Sequence, residues 1–203
     1  MFIVGLTGSI GMGKTTIAQM FQKLGVPIWN ADEVVHKLYE TGPAVEQISA
    51  VFDDVLTPDG RINRQKLAEQ VLNDSSKLKK LQSIVHPMVA TNRLQFIDNA
   101  SKNNVPYIVL DIPLLFETNS QKTVDKVIVV SCRPEIQKQR VLTRENMSEE
   151  KFEQILANQI PNETKVKQAD FVIETSGSLE DSERQVFELN QKLLELCKKP
   201  KHD

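Results

Sequence analysis

The segment Gly8-Ser9-Ile10-Gly11-Met12-Gly13-Lys14-Thr15 matches GxxxxGK[ST] at every fixed position, and it constrains this chain more than any other feature. Its surroundings give the match weight. It follows Phe2 to Leu6, an apolar run that reads as a strand, and precedes Ile17, Met20, Phe21 and Leu24, whose spacing reads as a helix. Glycines in such a loop let backbone N–H groups turn inward around phosphate oxygens, and the helix N-terminus adds partial positive charge. In the cradle formed by Gly8, Gly11, Met12 and Gly13, Lys14 can reach β- and γ-phosphates and the Thr15 hydroxyl can ligate magnesium. Thr16 extends the N–H cradle toward the α-phosphate. ATP and Mg2+ are the cofactors this pattern predicts.

Five short stretches rich in Val and Ile read as strands buried on both faces: Phe2 to Leu6, Val26 to Trp29, Tyr107 to Asp111, Lys126 to Val130 and Asp170 to Ile173. Helical patterns lie between them, among them Phe152, Ile155, Leu156 and Ile160, and a final run through Val186, Leu189, Leu193 and Cys197. This order predicts an α/β chain of the P-loop NTPase fold, with a five-stranded, mostly parallel sheet flanked by helices. The predicted core is 1–32, 107–132 and 169–203. The crossover 33–106 is too long for one βαβ unit and carries four helix patterns, around Val45 to Phe52, Leu67 to Leu72, Leu78 to Val85 and Val89 to Ala100, so it reads as a helical subdomain. Segment 133–168 is charged and weakly apolar, and reads either as a mobile helical flap or as a fixed surface hairpin.

A formal net charge of −2, from 25 basic and 27 acidic residues, gives the molecule no general attraction to nucleic acid or an anionic membrane. No apolar run approaches the ~20 residues a membrane-spanning helix needs. The cysteines Cys132 and Cys197 imply no disulfide framework and fit a reducing compartment, so a cytoplasmic protein without an obligate protein partner is expected. Lys198, Lys199 and Lys201 read as a solvated tail, and His36 and His202 belong to no ligand pattern.

Outside the loop, Asp32 closes the second strand segment Trp29-Asn30-Ala31-Asp32, at the sheet edge where ligands bind. It is suited either to orienting an acceptor hydroxyl and taking its proton or to capping the helix that starts near Glu33. Asp111 ends an apolar strand and has the form of a magnesium-holding aspartate, and the residues after it, through Pro113, Leu114 and Glu117, would line an acceptor pocket. Arg140 and Arg144 stand four apart, on one face of an expected helix, and suit charge stabilisation on a transferring phosphoryl group. His86, before Pro87, is expected at a helix boundary.

Taken together, these segments resemble the dephospho-CoA kinase family along nearly the whole chain. The resemblance rests on Gly5-Leu6-Thr7-Gly8 with its loop, Ala31-Asp32, Asp59-Gly60-Arg61-Ile62-Asn63-Arg64, His86-Pro87, Leu110-Asp111-Ile112-Pro113-Leu114-Leu115-Phe116-Glu117, Gln137 with Arg140, and Ala169-Asp170 before Val172-Ile173. It implies ATP-dependent phosphorylation of the ribose 3′-hydroxyl of dephospho-CoA, with the helical insertion binding the CoA portion and the flap acting as a lid. It further implies catalytic roles for Lys14, Asp32 and Arg140, and acceptor-side roles for Arg64, His86, Pro113, Leu114 and Glu117. Asn30, Met12 and Thr15 depart from the family's commoner aspartate and serines, and Thr175 stands where an asparagine often helps hold adenine. Another small P-loop kinase, acting on a nucleotide or a small alcohol, is the rival reading. A GTP-dependent switch lacks its NKxD motif here.

Overall fold

In the computed structural model the described residues are 1–72 and 74–198, so the basic positions Lys199 and Lys201 and the imidazole of His202 lie outside them. The chain divides into two compact units, Met1–Trp29 with Ala100–Asp203, and Asn30–Asn99.

The first unit is organised by a sheet of β1 (Phe2–Thr7), β2 (Ile28–Asn30), β3 (Tyr107–Asp111), β4 (Lys126–Ser131) and β5 (Phe171–Glu174) in the order β2-β3-β1-β4-β5. Strand β1 pairs in parallel with β3 and β4, and β4 in parallel with β5. Both faces are covered, which is why these runs are apolar without alternation. Ile128 and Val130 join Val4, Leu6 and Val109 in the larger core, under α1 (Lys14–Lys23) and α9 (Leu179–Lys198). Val127 and Val129 point the other way, against Leu115 and Phe116 and the partly buried Ile160 and Val166.

Two strand starts differ from the sequence reading, and four strands, β1, β2, β4 and β5, end one residue later than expected. The second strand starts at Ile28 because Val26 still belongs to the turn closing α1: its N–H donates to the Phe21 carbonyl beside Gly25, whose φ of +81° is left-handed. The last strand starts at Phe171 because the Asp170 carboxylate accepts from the Val127 N–H and the Lys126 ammonium, both at 2.8 Å, and so acts as a clasp at the strand entrance. Segment 133–168 forms three helices, α6 (Pro134–Leu142), α7 (Glu149–Ala157) and α8 (Asn162–Gln168).

The second unit contains α2 (Ala31–Leu38), α3 (Pro43–Ser49), α4 (Arg64–Val71) and most of α5 (Ser75–Lys102), whose residues from Ala100 on belong to the first unit. Its separate core gathers Val45, Ile48, Phe52, Ile62, Leu67 and Leu81, among others. The two helix patterns expected around 78–85 and 89–100 are one helix, and His86 is not at a boundary, since Pro87 lies inside α5. The physical reason is burial on both sides of the proline: Leu81, Ile84 and Val85 before it and Met88 and Val89 after it all pack on this core. Ser83, whose carbonyl loses its donor to Pro87, is exposed, so water can satisfy it.

Candidate active site

The phosphate-binding loop leaves β1 beside the end of β3, because the parallel register sets Leu6 opposite Asp111. Gly11 and Gly13 hold φ values of +80° and +90°, where a side chain would be strained. At Gly11 there is also no room, since a Cβ would come within 2.5 Å of Val141 Cγ2 on α6. Gly13 is the N-cap of α1 and supplies no side-chain bond, so the first-turn N–H groups are left for an anion. The Lys14 ammonium meets the carboxylate of Asp111, which is fully buried, and this pairs the two groups expected to handle phosphate and magnesium.

Met12 enters the loop differently from its neighbours. Its N–H is bonded to the Ser9 carbonyl, its side chain is 2% exposed, and its sulfur accepts the Cys132 N–H at 3.1 Å. The Met12 side chain therefore supports the loop from beneath, and its N–H closes a turn within the loop.

Helix α6 is fastened to the loop. Buried Gln137 donates to the Ile10 carbonyl at 2.7 Å, and Gln159, beyond α7, accepts from the Ile10 N–H at 3.2 Å. Arg140, one turn after Gln137, reaches Thr175, donating to its hydroxyl at 2.9 Å and its carbonyl at 2.6 Å. Arg144 does not share a helix face with it. The helix ends at Leu142, with Thr143 as C-cap, and Arg144 sits in the turn that follows. Both arginines nevertheless border a cavity of about 380 Å3 with Gly11, Gly13, Thr16 and Thr175. The cavity is also lined by Gly177, Ser178, Leu179 and Ser182, which the sequence reading missed; their signal was Ser178-Leu179-Glu180-Asp181, a helix-start pattern just after a strand.

Beyond β3, Pro113 is held through its carbonyl by the Thr7 hydroxyl at 3.0 Å, and Leu114 is exposed beside buried Leu115 and Phe116. Glu117 is engaged within the protein. One of its oxygens accepts from the Ile160 N–H at 2.9 Å and pairs with Lys165 on α8 at 2.8 Å, a lysine with no exposed surface that the sequence reading also missed. Burial pushes the Glu117 carboxyl up, but the adjacent Lys165 ammonium and the backbone N–H bonds outweigh this and leave it below its ordinary value.

In the second unit the expected substrate-side residues are spread out. Arg64 opens α4 and approaches His36 at 3.4 Å, around a small cavity that includes Tyr39 and Arg61. Burial raises the Tyr39 phenol, against the lowering effect of Arg64. His86, on the exposed side of α5, is not among this cavity's lining residues. Asp32 lies in the first turn of α2, exposed, and the cap it was a candidate for is Asn30, whose side chain accepts from the Glu33 N–H at 3.0 Å.

A parallel sheet with the loop at its central strand, an uncapped helix N-terminus, and a lysine and an arginine beside it define a P-loop phosphotransferase. A family model described as Dephospho-CoA kinase matches residues 2–181. Proteins named dephospho-CoA kinase from Rhodopseudomonas palustris (strain HaA2) and Bradyrhizobium diazoefficiens are 47% and 48% identical, the first covering 93% of this chain and 94% of its own, the second 98% of each. Among solved structures, TT1252 from Thermus thermophilus matches with TM-score 0.80 at 33% identity, over 95% of this chain and 97% of that one. Dephospho-CoA kinase from Campylobacter jejuni matches with TM-score 0.68 at 27% identity, over 94% and 96%. The chain belongs to the dephospho-CoA kinase family.

Proposed function

We propose that this chain transfers the terminal phosphoryl group of ATP to the ribose 3′-hydroxyl of dephospho-CoA, giving coenzyme A and ADP. The observation that carries the nucleotide half is the uncapped start of α1, with Gly13 left-handed and Lys14 at its first position. Lys14 and Arg140 supply fixed positive charge where negative charge redistributes as the bond to the leaving oxygen lengthens. Asp32, exposed and not needed as a cap, orients the acceptor hydroxyl and takes its proton as the new P–O bond forms. On this reading the segment from Pro113 to Glu117, together with Arg64 and His86 in the 33–106 region, serves the acceptor, and segment 133–168 covers the nucleotide.

Magnesium fits the residues present. Among the described residues no group of three or more His, Cys, Asp or Glu side chains could hold a metal, which disfavours an all-protein cage, but magnesium is usually held by one or two protein oxygens plus substrate phosphates. Asp111 and the exposed Thr15 hydroxyl, at adjoining strand and helix ends, would hold it, and it would neutralise phosphate charge when bound. Among the described residues no helix is long and apolar enough to cross a membrane, and Cys132 and Cys197, which form no disulfide, suit the cytoplasmic setting we assign.

An acceptor comparison with ATP and magnesium tests the proposal. Dephospho-CoA should exceed nucleoside monophosphates and shikimate in kcat/KM by at least about 100-fold, the discrimination expected from a site built for polar groups its competitors lack. Preference for a monophosphate nucleotide would assign the chain to another acceptor.

A further inference from the structure

Thr175 follows β5 and is 5% exposed, and each of its polar groups has a partner within the protein. Its N–H donates to the Ser131 carbonyl at 2.8 Å. Its hydroxyl donates to the Met12 carbonyl at 2.8 Å and accepts from Arg140 Nη1 at 2.9 Å. Its carbonyl accepts from Arg140 Nη2 at 2.6 Å. The guanidinium fork is thus gripped at two points by one residue, and that residue is tied in turn to the phosphate loop. The grip lies beside the loop's turn into α1: a Cβ on Gly13 would stand 3.4 Å from the Thr175 hydroxyl and 3.7 Å from Arg140 Nη1.

From this geometry we infer that Thr175 is a positioning residue for phosphoryl transfer, holding the Arg140 guanidinium at the phosphate loop, and that it does not read the nucleobase. A hydroxyl has one proton to give, and here the Met12 carbonyl takes it, so donating to a base would break the link between loop and arginine. Held this way, the guanidinium is in place before nucleotide arrives, and little of its freedom remains to be lost as charge develops. The inference rests on the catalytic role proposed for Arg140.

Steady-state kinetics of the full chain with dephospho-CoA and ATP, for Thr175→Val, Thr175→Ser, Arg140→Ala and the Thr175→Val/Arg140→Ala pair, test both. Thr175→Val keeps the shape and removes the hydroxyl, and should lower kcat roughly 10-fold, a modest displacement of a charge that matters. KM for ATP and the ratio of kcat/KM for ATP over GTP should hold within about 2-fold, because no base contact is lost. Thr175→Ser restores both bonds and should recover most of the rate. Arg140→Ala should cost roughly 100-fold or more, and adding Thr175→Val to it should cost nothing further, since the hydroxyl acts through the arginine. Wild-type kcat in Thr175→Val alongside a crippled Arg140→Ala overturns the inference while sparing the role of Arg140. So does a changed ATP/GTP ratio, or a Thr175→Val loss that persists without Arg140. Wild-type kcat in Arg140→Ala instead overturns the catalytic role itself and the inference with it. If Thr175→Val does not fold, Thr175→Cys, a poorer donor and acceptor of similar size, carries the same comparison with a smaller expected loss.

Discussion

Asn30 and Asp32 are two residues apart and separate two tasks that one side chain would otherwise share. An aspartate near a helix start is a good cap, and from sequence alone Asp32 could have been placed there for that purpose. With Asn30 accepting the Glu33 N–H, the capping demand is already met. Asp32→Asn should therefore leave the melting temperature within about 1–2 °C of wild type, as surface substitutions away from caps usually do. It should lower kcat with dephospho-CoA by roughly 100-fold or more, the range for a lost general base or orienting carboxylate. Turnover and melting measured on one preparation separate the roles, and undiminished turnover removes Asp32 from the catalytic set. The loop residues Gly8 to Thr15 were legible because their spacing encodes their geometry directly. Thr175 and Met12 were legible only as departures from a family pattern, because their roles lie in long-range bonds, to Arg140 in one case and to Cys132 in the other.

Helix α8 and the segment after β3 are joined by a device that no local pattern in the sequence reveals. Lys165 has no exposed surface and pairs at 2.8 Å with Glu117, 48 positions before it in the chain. A lysine at that point reads as a solvated charge, yet it is buried, next in the chain to Val166, which packs on the Leu115 and Phe116 cluster. Because the Glu117 carboxyl sits below its ordinary value, the pair contributes stability above the unfolded value of 4.5 and loses it as pH falls through the lower folded value. Lys165→Met leaves a buried carboxylate without its cation, which should destabilise the chain by about 3–5 kcal/mol near neutral pH. In the variant, Glu117 should take up its proton more readily folded than unfolded, so the deficit against wild type should shrink on acidification. Urea titrations of both proteins between pH 7 and pH 4 check this, and a deficit independent of pH would assign the loss to packing alone. Elements were otherwise readable where periodicity and burial agree, as in β1, β3 and β4. The run through Pro87 was not, because proline's local preference for ending a helix is overridden by apolar contacts on both sides of it.

At the scale of the molecule, the described residues build separate apolar cores in the two units, the sheet carrying a further cluster on its other face. One lies on the sheet under α1 and α9, and the other gathers α3, α4 and α5 around Ile48 and Phe52. The length of the crossover 33–106 suggests a helical subdomain in sequence, and the second compact unit spans Asn30–Asn99, limits that depend on where contacts thin out and that no residue marks. Separate cores imply separable damage. Ile48 has no exposed surface, so Ile48→Ala should cost about 2–5 kcal/mol, all of it lost from the core of the second unit. Amide exchange should then quicken through residues 30–99 while protection in β1, β3 and β4 stays near wild type, since local opening follows the stability of the unit concerned. If the second unit serves the acceptor and the first the nucleotide, KM for dephospho-CoA should rise by at least about 3-fold, while the Kd of an ATP analogue, measured by calorimetry without acceptor, stays unchanged. Exchange mass spectrometry and calorimetry on the same variant decide the matter. Faster exchange across both units would show one cooperative body, and a weakened ATP analogue would show that the helical unit also supports the nucleotide site.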